Sequence, residues 1–226
     1  MSAPTEVPLD LASARRWALA ARAGLADARD QIDALNVFPV PDGDTGTNMF
    51  LTFDGALDVL RGHHDIDGGA ISLTDGLALL ARGMLLSARG NSGVILSQLA
   101  RGLHEAASMS EGPVSEIGAE LLADAFVRAD RLAWAGVSSP IEGTILSVSQ
   151  AAAAAARAVV DDDGPVRPSA AEVSAEALAA ARTALERTPS QLPALARAGV
   201  VDAGGAGLVI VLEALQRVLT DGRVAA

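Results

Sequence analysis

Apolar residues recur every three or four positions along most of the chain, with polar residues between them. That is the period of an amphipathic helix burying one face. Trp17, Ala21, Leu25, Ala28, Ile32 and Leu35 mark a first face. Met49, Phe53, Leu57 and Leu60 mark a second, and Leu73, Leu77, Leu80 and Met84 a third. Ile95, Leu99 and Leu103 define a fourth; Ile117, Leu121 or Leu122, and Phe126 define a fifth. A sixth runs from about Thr144 through Ala156, a seventh carries Val173, Ala177, Ala181 and Leu185, and the last carries Leu208, Leu212, Leu215 and Leu219. A short turn is expected near Leu192–Ala196. Gly, Pro and Asp punctuate the pattern at 39–46, 62–69, 112–113, 161–168 and 204–207. The acidic run 161–165 reads as a solvated loop. The pattern predicts an all-α fold, a bundle or barrel of about eight antiparallel amphipathic helices. It is expected to form one domain over residues 1–226, with 1–9 flexible. In such a fold, loops at one end lie together and can build one site from distant segments.

Composition narrows the chemistry. Half of the 226 residues are hydrophobic, but only four Phe and two Trp supply aromatics, so the core must be aliphatic. The net charge of −11 argues against a sequence-independent nucleic-acid binder, which needs a basic footprint. All 17 basic residues are Arg, which excludes a phosphate-binding P-loop with its Lys. Without Cys there is no disulfide, thiolate metal site or thiol nucleophile. The first residues lack the basic and apolar regions of a signal peptide, so a cytoplasmic location is the default. Apolar runs such as Ala151–Ala156 fall short of the roughly 20 residues of a membrane span.

The segment Asn36–Asn48 concentrates candidate chemistry. Asp42 and Asp44 flank Gly43, whose freedom lets both carboxylates converge on one hard cation. Pro39 and Pro41 stiffen the approach. Thr45, Gly46, Thr47 and Asn48 then open a helix, whose free N–H groups attract anions. The plainer alternative is a turn with an N-cap. A calcium EF-hand does not fit, since Thr47 and Phe53 occupy the positions of its Gly and Glu.

Arg89-Gly90-Asn91-Ser92-Gly93, followed by apolar helix from Val94, is a second candidate. Glycines admit close backbone approach to phosphate, Ser92 can donate, and Arg89 can bring charge. An ordinary C-cap, turn and N-cap is the competing reading. Weaker candidates are Glu142-Gly143-Thr144 and the glycine-rich stretch after Asp202. His63-His64-Asp65 could ligate a metal but reads as a surface loop.

Taken together, LNVFPVPDGDTGTNM (Leu35–Met49), ARGNSGVILSQ (Ala88–Gln98), IEGTIL and VVDAGGAGL resemble the nucleotide-binding domain shared by the L subunit of dihydroxyacetone kinase and the N-terminal part of bacterial fatty acid kinase. The resemblance covers nearly the whole chain. The Val-Phe-Pro-Val-Pro insertion and the Arg-Gly-Asn-Ser-Gly loop look like the fatty acid kinase branch. The resemblance implies a barrel of eight antiparallel helices that binds ATP or ADP through two magnesium ions at its loop end. Asp42 and Asp44 match the metal carboxylates, and Asn36 matches the place of a third carboxylate in dihydroxyacetone kinases. Asp33 lies up the preceding helix and is not preferred as a ligand. Thr45, Gly46, Thr47, Asn48, Arg89, Gly90, Asn91, Ser92, Gly93, Thr144 and Asp202 fall at nucleotide- or phosphate-contacting positions. The implied reaction moves the γ-phosphoryl of ATP to a fatty acid carboxylate presented by a separate lipid-binding protein. In that family further C-terminal regions engage this protein, so nucleotide binding is expected of this segment and acyl phosphorylation of a longer chain. A homodimer is compatible with this picture; nucleic acid and a membrane span are not expected. Two other functions fit the same residues: a kinase of small metabolites such as dihydroxyacetone, and a nucleotide-binding regulatory domain without turnover.

Overall fold

A computed structural model describes residues 7–67, 71–110, 112–162 and 165–220, without the side chains of 63–67. The His63-His64-Asp65 candidate therefore lies outside what is described, as do residues 1–6. The long helices are α1 (Leu11–Leu35), α2 (Thr45–Asp67), α3 (Leu73–Ser87), α4 (Gly90–Ser108), α5 (Ala119–Ala135), α6 (Ile145–Asp161), α7 (Ala170–Gln191) and α9 (Ala203–Thr220). A short α8 (Pro193–Ala198) sits where a turn was expected.

Local chemistry sets the helix starts. Asp10 caps α1 by accepting the Ser13 N–H at 2.8 Å. Ser72 caps α3 through the Asp75 N–H at 3.0 Å. Ser169 and Glu172 form a reciprocal capping box at α7. Each such cap satisfies a donor that a helix start leaves free.

Neighbouring helices pack in chain order from α1 to α7; α7 then packs on α9, and α9 returns to α1. Short connections make consecutive helices antiparallel, so the ring closes as a barrel of eight long helices. Its interior is aliphatic: Leu25, Ile32, Met49, Met84, Leu96, Leu146 and Val173 are all buried. Trp17 spends its indole N–H on the Val211 carbonyl at 3.1 Å, which makes a polar aromatic tolerable there. A residual apolar cavity of about 80 Å³ lies between Trp17, Phe53, Phe126 and Leu212.

Two features differ from expectation. Leu9 is buried and pairs with Ile117 in a two-residue antiparallel ladder, β1 (Leu9–Asp10) with β2 (Glu116–Ile117), so the expected flexible lead does not extend to residue 9. Two-residue strands are too short to leave a periodic signal. In addition, α9 is long and apolar enough to cross a membrane by length and composition, which the apolar runs had not suggested. Of that span, 67% is buried, so its apolarity serves contacts with α1, α7, α6 and α2.

Candidate functional site

Alternation of direction around the ring brings the starts of α2, α4, α6 and α9 to one end, beside the ends of α1, α3, α5 and α7. A cleft of about 730 Å³ opens there. Its wall takes Asn36, Asp42, Asp44, Thr45 and Asn48 from the first candidate segment and Gly90, Asn91 and Ser92 from the second. Thr144 and Asp202, distant in sequence, line the same cleft. Gly46, Thr47, Arg89 and Gly93 do not line it.

Asn36 organises the loop between α1 and α2. It is 7% exposed. Its Nδ2 donates to the Val40 carbonyl at 2.6 Å and to Asp42 Oδ1 at 3.3 Å. Its Oδ1 accepts the Thr45 hydroxyl. Gly43 takes φ +65°, the left-handed conformation that lets the chain reverse between the two carboxylates. The backbone then enters α2, where the Asn48 N–H donates to the Asp44 carbonyl at 2.8 Å.

The four helix starts at the cleft differ in what satisfies them. At α2, the Thr47 N–H is taken by Asp33 Oδ1 at 3.0 Å and the Thr47 hydroxyl by Asp33 Oδ2 at 2.7 Å. At α6, Thr144 accepts the Leu146 N–H at 3.4 Å and donates to the Ile141 carbonyl at 2.8 Å. At α9, Asp202 Oδ2 accepts the Gly205 N–H at 2.7 Å. Only α4 among these has no side-chain cap: its N-cap Arg89 makes no such bond. Helix starts attract anions through free N–H groups and the macrodipole, so α4 presents the most available donors. Gly90, at φ +58°, lies against the Asn48 side chain and brings these donors beside the acidic loop.

Some expected contacts thus take other work. Thr47 is engaged by the protein's own carboxylate. Gly46 lies against the Arg29 carbonyl and the Ile32 side chain, and Gly93 against Thr52 and Ala88, so both serve close packing. Arg89 is exposed away from the cleft wall.

Burial pushes the Asp202 carboxyl up to about 6, with the Gly205 N–H bond opposing that rise. No Arg or His stands among the described residues lining the cleft, whereas Asp42, Asp44 and Asp202 do. Its donors are carboxylates, amides and hydroxyls, a hard oxygen set suited to magnesium rather than to zinc or copper. Among the described residues, no three His, Asp or Glu side chains group as a ready-made metal cage. Magnesium commonly takes one or two carboxylates and completes its shell with water and phosphate oxygens, so the residues present fit it.

Sequence reasoning missed the opposite wall, residues 136–141, where Gly136, Val137, Ser138, Ser139 and Ile141 follow α5. Its Gly, Ser and Pro content signalled only a turn.

An all-helical barrel with a cleft at one end, walled by an acidic loop and an uncapped glycine-rich helix start, defines the class of helical domain. Residues 39–217 match the model of the DAK2 domain, and the chain belongs to that family. An uncharacterized protein of Staphylococcus saprophyticus is 39% identical over 204 residues, covering 89% of this chain and 34% of the relative. An uncharacterized protein of Staphylococcus aureus is 39% identical over 202 residues with the same coverage. This chain thus spans about a third of these relatives. Among solved structures, the dihydroxyacetone kinase of C. freundii in complex with AMP-PNP and Mg2+ superposes with a TM-score of 0.63 at 20% identity, over 96% of this chain and 36% of that one. Its native form gives 0.62 at 21% identity, over 96% of this chain and 37% of that one. At that identity the likeness establishes the fold.

Proposed function

We propose that this chain is the ATP- and magnesium-dependent kinase domain of a phosphotransferase that converts a fatty acid carboxylate into an acyl phosphate. The observation that carries the nucleotide part is the charge balance of the cleft. Three carboxylates line it and no described cationic side chain does. A polyphosphate entering alone would meet like charge in a partly dehydrated space, where repulsion is strong. Divalent cations reverse that sign.

In this reading Asp42 and Asp44 would hold two magnesium ions, with Asn36 fixing the loop and its amide oxygen a candidate further donor. The ions supply charge neutralisation at the phosphate oxygens. The Asn91 and Ser92 N–H groups at the α4 start take phosphate oxygens, with Gly90 admitting their approach. Asn48, Thr144 and Asp202 shape the remaining wall. The acceptor carboxylate oxygen forms a bond to the γ-phosphorus as the bond to the ADP oxygen breaks, giving acyl phosphate and ADP. With no Lys or Cys in the chain, no covalent enzyme intermediate through those groups is available. Positioning and electrostatics do the catalysis.

The Val37–Pro41 insertion and the Arg89–Gly93 loop favour the fatty acid branch, with a lipid-binding protein as partner. The superposition on C. freundii dihydroxyacetone kinase favours a second reading, a small-metabolite kinase. ATP consumption by the full-length protein separates them: fatty acid with its carrier protein on one side, dihydroxyacetone with its partner subunit on the other. Turnover with the carrier-bound fatty acid and none with dihydroxyacetone supports the proposal. Turnover only with dihydroxyacetone replaces it, and nucleotide binding without turnover for either acceptor assigns a regulatory role.

A further inference from the structure

We infer that Asp33 is a positioning residue for the acidic loop, acting through Thr47 to raise divalent-cation affinity without touching the ion. The inference rests on the reading of Asp42 and Asp44 as the cation-holding carboxylates.

Asp33 lies in the last turn of α1, and Thr47 in the first turn of α2. Between them runs the loop that carries Asn36, Asp42 and Asp44. Both carboxylate oxygens of Asp33 are spent on Thr47, one on its N–H at 3.0 Å and one on its hydroxyl at 2.7 Å. The Asp33 carbonyl meanwhile accepts the Asn36 N–H at 3.1 Å, ending α1 where the loop departs. A single residue therefore fixes both ends of the loop. Gly46 reinforces the contact by letting α2 seat directly on the Arg29 carbonyl and Ile32. Inside this frame Asn36 ties down Val40, Asp42 and Thr45.

Asp33 does not line the cleft, so it is not placed to ligate. Its charge at the α2 start is favourable with the helix dipole and adds negative potential behind the loop. Without it, the Thr47 donors lose their acceptor and the loop is held at that end only by packing and the Thr45–Asn36 hydrogen bond. A cation would then have to order the loop as it binds, and affinity falls. Changes to residues that orient metal ligands from behind typically cost about 10- to 100-fold in metal affinity.

The test is a calorimetric titration of Mn2+ into the nucleotide-free protein, with circular dichroism confirming the fold of each variant. Asp33→Ala is expected to weaken cation binding about tenfold. Asp33→Asn, which keeps one acceptor oxygen, should fall between it and the native protein, and serves if the alanine variant does not fold. Thr47→Ser should bind as the native protein does. Thr47→Val should weaken binding, and Asp33→Ala/Thr47→Val should be no worse than Asp33→Ala, since the pair acts as one unit. Unchanged cation affinity in folded Asp33→Ala overturns the inference, as do additive losses, which would give Thr47 a role independent of Asp33. Failure of the native protein to bind Mn2+ overturns the reading of Asp42 and Asp44 itself, and this inference with it.

Discussion

Thr52 Oγ1, buried in α2, accepts the backbone N–H of Arg89 at 3.3 Å while donating to the Asn48 carbonyl at 2.7 Å. One hydroxyl thus joins the helix that follows the acidic loop to the N-cap of the helix that opens the glycine loop. The spacing between the two halves of the site depends on it. Thr52→Val keeps the shape but removes both bonds and strands the Arg89 N–H. A loss of about 1–3 kcal/mol in denaturant unfolding is expected, with weaker nucleotide binding. Unchanged unfolding would show that the two loops are held apart by other means.

Ser92 lies on the cleft wall at the uncapped start of α4. Ser92→Ala removes a hydroxyl but leaves the backbone donors. Its expected cost in ATP affinity is about 1 kcal/mol, roughly a fivefold rise in Kd by calorimetry. A loss beyond about a hundredfold would assign Ser92 a larger role than one hydrogen bond.

Asp202 links the site to pH. Its carboxyl is raised to about 6 from an ordinary 3.8, chiefly by burial. A raised acid favours the fold when protonated, so its contribution is fully present below about pH 4 and is lost as pH climbs through 6. Asp202→Asn stays neutral and retains an acceptor for the Gly205 N–H. The variant should be more stable than the native protein above pH 6, by on the order of 2 kcal/mol, with the advantage vanishing toward pH 4. Thermal melts across that range check this, and an advantage independent of pH would contradict it.

Gly102 in α4 faces the backbone of Ala129 in α5, where an added methyl would collide with the Ala129 N and Cα. Alanine is ordinarily the better helix residue by about 1 kcal/mol. Here Gly102→Ala is expected to destabilise instead, by roughly 1–3 kcal/mol, because the two helices must separate. A rise in melting temperature would show the contact to be looser than described.

Much of this architecture was legible because the barrel repeats one simple device, an apolar helix face. Leu25, Ile32, Met49, Phe53, Met84 and Val173 all point inward as their spacing predicts. The acidic and glycine loops stood out because Gly, Pro and Asp cluster there. What spacing could not show was how loop ends meet in space. Asp33 looked too distant along α1, yet the antiparallel return of α2 sets Thr47 directly upon it. The α4 helix begins at Gly90 rather than near Val94, since the Gly93 N–H already donates to the Arg89 carbonyl at 3.0 Å. The wall at 136–141 carries no pattern of its own and becomes part of the cleft only when α5 and α6 are packed side by side.

The most direct measurement is calorimetric titration of ATP, with and without magnesium, into the native protein, Asp42→Ala and Asp44→Ala, with helical circular dichroism as a control. The account predicts magnesium-dependent binding by the native protein, none detectable in either variant, and unchanged helicity in all three. Undiminished ATP binding by both folded variants, or native binding indifferent to magnesium, would contradict it.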